Sequence, residues 1–228
     1  MVKNFNLPKV VDHYDEHIQK LIPGYSLVHL HIQAILDTTF QLRNHSQLKI
    51  LIAGCGTGYE LRYLIEQFPE AKFVAFDPSQ QMIDKCQHYL KDHKVSEQIE
   101  LICGDSSVLH DYQNHFDVAL CILVTHFLDQ NQKKTLLQHL YASLKGDGIY
   151  LSYDMMKFQN QTHIHELMYI VRRLGLTEKQ TQQMNERLDD DFYLIGFDDY
   201  QQMLRNIGFS KSECFIKISN FYGIFATK

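Results

Sequence analysis

Three glycines at alternating positions, Gly54, Gly56 and Gly58, follow the apolar run LKILIA (48–53), and an acid, Asp77, closes the next apolar run nineteen residues after the last of them. Glycine has no Cβ, so such a loop turns sharply and lets a ligand approach bare backbone, including the Gly54–Cys55–Gly56 peptides. A carboxylate at the spacing of Asp77 can accept hydrogen bonds from both hydroxyls of a ribose lying on the loop. The dinucleotide fingerprint also requires a small residue five positions after the first glycine, where a pyrophosphate brings helix and strand close; here that position is Tyr59. The loop therefore suits a nucleoside ligand without a pyrophosphate, and S-adenosylmethionine is the leading candidate.

Further residues fall where an open α/β sheet binds its ligands, beyond the carboxyl ends of the strands. Pro78 and Met82 follow Asp77, and Gly104, Asp105 and Ser106 follow the run IELIC. Asp105 could accept a hydrogen bond from an exocyclic amine such as that of adenine, or simply cap the next short helix. Cys121 and Ile122 end the run DVALCI and would lie beside the ligand, or serve as core strand. For proton transfer the candidates are His126 after that run, and Tyr153 and Asp154 after GIYLSY, with histidine favoured by its useful pKa. His13 and Tyr14 are weaker candidates of the same kind.

These residues must be held by a regular alternation. Short runs rich in Ile, Val, Leu and Phe at 48–53, 72–77, 99–103, 117–122 and 148–153 read as strands. Helix-like segments lie between them at 59–68, 79–93, 106–113 and 130–144, with Ser79 a plausible N-cap. Near-continuous apolar strands spaced by helices predict an α/β fold, a mostly parallel sheet covered on both faces. Residues 212–218 and 221–227 are closely spaced and predict an antiparallel finish, giving seven strands. Two helical segments stand outside this rhythm, 9–43, broken at Pro23–Gly24, and 157–206. They read as a cover that forms the acceptor pocket within a single domain spanning 1–228.

Composition narrows the partners. A net charge of −5 lacks the basic stripe of a phosphate-backbone binder, so a nucleic acid is not expected. No apolar run approaches 18 residues, and the N-terminus has no apolar signal core, so no membrane segment and a cytoplasmic location are expected. The five cysteines form no Cys-x-x-Cys pair and read as reduced core residues. His29/His31 and His163/His165 stand two apart in helix-like stretches, where neighbours diverge, so no metal site is expected.

The motifs AGCGTG (53–58), VAFDPS (74–79), ICGDSS (102–107), FDVALCILVTHFL (116–128) and LKGDGIYLSY (144–153), in that order, resemble the Rossmann-like S-adenosylmethionine-dependent methyltransferases. That resemblance implies methyl transfer from S-adenosylmethionine, with S-adenosylhomocysteine as product. LIPGYSLVHLHIQAIL (21–36) and the tail from 200 to 228 carry a closer resemblance, to the bacterial carboxy-S-adenosylmethionine synthases, which make a carboxymethyl cofactor from prephenate. By this resemblance Tyr25 would hold the cofactor's methionine carboxylate, Gly54, Asp77 and Asp105 its nucleoside, and a homodimer is implied. Two positions depart from the pattern. Ile52 stands where the family carries an acid that helps hold the cofactor's ammonium. Met203 stands where the synthases grip the extra carboxylate with an arginine, and a thioether cannot replace that bidentate pairing. Arg205, two residues along, is about 200° around a helix and points elsewhere. The reading is thus a methyltransferase acting on a small-molecule acceptor. The alternatives are a carboxymethyl-forming enzyme with another clamp and a non-catalytic cofactor-binding protein.

Overall fold

The computed structural model describes residues 11, 14–41, 48–92, 96–188 and 191–228; His13 and the outer ends of the 9–43 segment lie outside them. Strand β1 (Lys49–Ala53) leads through the glycine loop into helix α3 (Tyr59–Gln67), β2 (Lys72–Asp77) into α4 (Gln80–Asp92), and β3 (Ile99–Cys103) into a 3-10 helix at Ser106–Asp111. Strand β4 (Phe116–Ile122) leads through a 3-10 turn at Thr125–Phe127 to α5 (Gln130–Ser143), followed by β5 (Leu144–Met155). Two cover helices, α1 (Tyr14–Leu21) and α2 (Tyr25–Phe40), precede the sheet. Three more, α6 (Gln161–Arg173), α7 (Glu178–Arg187) and α8 (Phe197–Ile207), lie between β5 and the closing hairpin of β6 (Lys211–Ile218) and β7 (Phe221–Thr227). Each expected strand is present, and Ser79 caps α4 through its hydroxyl and the Met82 N–H, 3.3 Å apart.

The seven strands form one sheet in the order β3-β2-β1-β4-β5-β7-β6, with β7 alone running antiparallel to its neighbours. Chain direction reverses its progress across the sheet between β1 and β4, so a crevice opens at their carboxyl ends, where ligands bind in such sheets. Alternation along each strand divides the apolar residues between two cores. Ile50 and Ile52 of β1 and Val118, Leu120 and Ile122 of β4 face one core, covered by α2, α3, α4 and α6. Leu51, Ala53, Ala119 and Cys121 face the other, covered by α5 and α8. Leu61 and Leu64 of α3 are wholly buried, each such side chain contributing about 1.5–3 kcal/mol. This packing seats the helix that follows the glycine loop.

The cover breaks at Pro23–Gly24 as expected. Gly24 has φ +69°, the left-handed region that favours glycine, and a Cβ there would press on the end of the Ile218 side chain. The break is pinned to the sheet by the Tyr153 hydroxyl, which donates to the Pro23 carbonyl at 2.7 Å. One expectation needs correcting here. Strand β5 runs on to Met155, so Tyr153 and Asp154 lie inside it rather than after it. Among the described residues no helix is long and apolar enough to cross a membrane.

Candidate active site

The glycine loop is held against β2 by its own backbone, the Gly54 and Cys55 N–H groups both donating to the Phe76 carbonyl at 2.8 and 3.0 Å. All three glycines have positive φ, at +68°, +50° and +83°. Their surroundings differ. A Cβ on Gly54 would collide with Val124, and one on Gly58 would come within 2.6 Å of the Cys86 sulfur. A Cβ on Gly56 would meet nothing within 4 Å. The outer glycines thus let protein pack closely, while the middle one faces open space where a ligand can lie on bare backbone.

Asp77 borders that space. One of its oxygens accepts from the Gly56 N–H at 3.0 Å and the other from the Ser79 N–H at 2.8 Å. Burial raises its pKa, and these two N–H groups partly offset the rise. A carboxylate has about four acceptor sites, so each oxygen keeps a lone pair for a ribose hydroxyl. The Gly104 N–H bonds the Asp77 carbonyl at 3.0 Å, and Pro78 is exposed on the same rim while Met82 is buried behind it. Asp105 is exposed and caps the 3-10 helix through the Ser107 N–H at 2.8 Å, the Ser107 bonds holding its pKa below the usual range. The capping role is therefore present whatever else Asp105 contacts. The Ser106 hydroxyl is paired with His139 Nδ1 at 2.9 Å.

The two candidate cysteines are both buried. The Cys55 thiol points down to Cys86 beneath the loop, leaving only its backbone toward a ligand. Cys121 is wholly buried on the sheet face covered by Tyr150 and Tyr200, so its side chain is core packing. Tyr25, at the start of α2, is buried against His29 and Tyr59, with ring centroids 4.6 and 4.9 Å away. His29 donates to or accepts from the Tyr63 hydroxyl at 3.0 Å, while His31 turns to Phe215, so this pair diverges. Among the described residues no group of three or more His, Cys, Asp or Glu is placed to hold a metal ion.

Parallel pairing of β4 and β5 aligns Ile122 with Tyr153 and so brings the turn after β4 against Asp154. There Asp154, wholly buried, accepts from the Thr125 N–H at 2.6 Å, the Thr125 hydroxyl at 2.7 Å, the Met155 N–H at 2.8 Å and His126 Nδ1. Burial pushes its pKa up, but the His126, Thr125 and Met155 bonds outweigh that and leave it lowered. An ionised carboxylate only accepts, so His126 Nδ1 donates to it, and in the neutral ring Nε2 is the acceptor. Asp154 is thus an orienting group rather than a base. Tyr153 is likewise removed from the proton-transfer candidates, because its hydroxyl is committed to Pro23.

His126 lines a chamber of about 290 Å³ between the sheet edge and the cover. Its walls are Ile18 and Ile22 around α1, Leu123 and Phe127 beside the histidine, Met184 on α7 and Phe192 beyond it. Tyr14 of α1 also lines it, and its phenol is pushed up by burial and then by the charges of Glu60 and Asp77. The chamber adjoins the glycine loop, because Asp15, next to Tyr14, accepts from the Thr57 hydroxyl, and Val124, next to Leu123, packs against Gly54. The far wall is stitched to the histidine turn: the Tyr193 N–H bonds the His126 carbonyl at 2.8 Å, and Lys133 Nζ donates to the Leu128 and Tyr193 carbonyls. Burial lowers the Lys133 pKa to about 8.

Sequence reasoning missed three groups around the loop. Asp15 of α1 accepts from the Thr57 hydroxyl and pairs with Arg62 at 2.7 Å, docking the cover onto the loop. Glu60, 7% exposed, and His29, 2% exposed, stand 3.8 Å apart beneath it. An acid in the first turn of a helix ordinarily answers the helix dipole, which disguised Glu60.

Comparisons with known proteins agree with this fold. Residues 50–148 match a methyltransferase domain. The chain is 25% identical over 231 residues to a carboxy-S-adenosyl-L-methionine synthase of Pseudoalteromonas atlantica, covering 96% of this chain and 90% of that one. Among solved structures it is similar to the PH0226 protein of Pyrococcus horikoshii OT3, with TM-score 0.62, 18% identity, and 91% and 92% of the two chains covered. A geranyl diphosphate C-methyltransferase of Streptomyces coelicolor A3(2), solved with S-adenosyl-L-homocysteine, gives TM-score 0.59, 11% identity and coverage of 86% and 79%.

Proposed function

We propose that the chain, an S-adenosylmethionine-dependent methyltransferase by its domain and its fold, methylates a small, largely apolar acceptor bound in the chamber beside His126. The observation that carries this is the buried Asp154–His126 pair opening into an apolar chamber next to the glycine loop. When bound, S-adenosylmethionine supplies an activated methyl group, so the protein's main work is alignment and exclusion of water. Gly56 and Asp77 would hold the nucleoside, with Tyr25 toward the methionine end. His126 Nε2 would take the proton of an acceptor hydroxyl or amine, while Asp154 fixes the tautomer and offsets the charge that forms.

The chamber wall, which includes Asp191, disfavours an anionic acceptor. None of the described side chains lining it is Lys or Arg, so an acceptor with free carboxylates would lie there without a cationic partner. The kinship to the carboxymethyl-forming synthases keeps that chemistry as the second reading. Against it, Met203 packs on the core covered by α5 and α8, and Arg205 is turned to Gln202 at 2.9 Å. The free cysteines suit a reducing compartment, and we place the enzyme in the cytoplasm as one methyltransferase domain with a helical cover.

His126→Asn is the test. With labelled S-adenosylmethionine and fractionated small-molecule extract, the native enzyme should form S-adenosylhomocysteine and the variant should be slower by roughly 10²–10⁴-fold. Its affinity for S-adenosylhomocysteine should be unchanged. Full turnover by the variant would remove the base, and label passing only to RNA would remove the small-molecule acceptor.

A further inference from the structure

We propose that Glu60 receives the α-ammonium of the cofactor's methionine end, taking over the function of the acid in whose place Ile52 stands on β1. The proposal rests on the cofactor reading above and concerns a residue outside the family's glycine motif. Ile52 is 1% exposed within the core covered by α2, α3, α4 and α6, and offers nothing polar. A cofactor ammonium brought into this crevice needs an anion nearby.

Glu60 supplies one and lacks a cation of its own. It is the second residue of α3, directly after the loop, and is buried. The nearest basic nitrogen is His29 Nε2 at 3.8 Å, beyond hydrogen-bond length. Burial lowers the His29 pKa to about 4, so that ring is neutral at physiological pH. Arg62, the cation on the same helix, pairs through one terminal nitrogen with Asp15 at 2.7 Å and lies over the Tyr89 ring at 4.6 Å; its charge reaches Glu60, but its Nε is buried with no hydrogen-bond partner. Burial raises the Glu60 pKa to about 7, only partly offset by its own backbone N–H and by Arg62. A second observation points to a ligand. His29 Nε2 is buried with no hydrogen-bond partner, although its Nδ1 is satisfied by Tyr63. Such orphan polar atoms are uncommon in folded proteins.

The surroundings suit an amino-acid headgroup. The Tyr25, His29 and Tyr59 rings stand 4.6 to 4.9 Å apart beside the carboxyl, and aromatic faces attract ammonium groups. The other titratable groups facing Glu60 are Tyr14 and Asp15 from α1, Tyr25 from α2, Cys55 in the glycine loop and Tyr63 on α3. None of them supplies a positive charge.

Two ligands separate this role from cofactor binding at large. S-adenosylhomocysteine carries the amino-acid end but no sulfonium, whereas 5′-methylthioadenosine carries neither. By calorimetry at pH 8, Glu60→Gln should weaken S-adenosylhomocysteine by roughly ten- to hundred-fold and leave methylthioadenosine within about twofold. Asp77→Ala should weaken both. For the native protein, affinity for S-adenosylhomocysteine should fall as pH drops from 8 to 5.5 and Glu60 takes up a proton; the Gln variant should lack that dependence. Glu60→Asp, which keeps the charge, should bind S-adenosylhomocysteine better than Glu60→Gln. Equal losses for both ligands, no loss for either, or an Asp variant no better than Gln would overturn the proposal. If the native protein binds neither ligand, the cofactor reading itself fails and the proposal falls with it.

Discussion

Removing the Glu60 charge should make the ligand-free protein more stable, and only at the upper end of the pH scale. The folded-state pKa is about 7 against an ordinary 4.5, because ionisation inside the protein must overcome burial. A carboxyl raised in this way contributes stability that is fully present below 4.5 and is lost as pH climbs through 7. The difference of about 2.5 units, at about 1.4 kcal/mol each, is worth about 3 kcal/mol. Gln has no proton to lose. Glu60→Gln should therefore match the native protein near pH 4.5 and exceed its unfolding free energy by up to about 3 kcal/mol at pH 8. His29, lowered to about 4, acts in the opposite sense: its contribution is present above 6.5 and is lost as pH falls through 4. In the native protein the two trends largely cancel between 4.5 and 6.5; in the variant the histidine's decline should stand uncovered. Urea unfolding of both ligand-free proteins at half-unit steps from pH 4.5 to 8.5 measures the difference directly. Curves separated by a constant amount across that range would refute the reasoning.

Two other substitutions test the frame of the site. Gly56→Ala should fold, at a cost of about 1–2 kcal/mol for its positive φ, but should bind S-adenosylhomocysteine more than tenfold more weakly by calorimetry because its methyl occupies the ligand's space; unchanged affinity would show that the open side of Gly56 is not where the cofactor lies. Tyr153→Phe removes the bond to the Pro23 carbonyl and should lower unfolding free energy by about 0.5–1.5 kcal/mol, with the pH profile of turnover retained; a lost limb in that profile would restore Tyr153 as a proton-transfer group.

Much of the scaffold was legible because each element carries a local signal. Apolar runs of five to seven residues marked the strands, Ser79 and Pro23–Gly24 marked helix boundaries, and the glycines with Asp77 marked the loop and the carboxylate that meet at Gly56. What escaped were pairings between distant segments. His126 and Asp154 are 28 residues apart and meet only because β4 and β5 run parallel in register. Tyr153 and Asp154 looked equivalent as neighbours, yet successive strand residues point to opposite faces, so one anchors the cover and the other the histidine. Cys121 followed the same rule into the core covered by α5 and α8. The cover helices were recognisable as helices, but nothing local to their residues declared which surface they would close.

The placement of α1 has a thermodynamic consequence. Through Asp15 it grips Thr57 and Arg62 beside the glycine loop, and through Tyr14 and Ile18 it forms a wall of the chamber. One helix of about two turns is therefore common to both compartments, and a ligand that firms its seat in one changes the free energy of filling the other. Such coupling is reciprocal by linkage: whatever factor the nucleoside adds to acceptor affinity, the acceptor must return to the nucleoside. The unknown acceptor can thus be sought without any turnover, as the compound that sharpens S-adenosylhomocysteine binding to the resting protein.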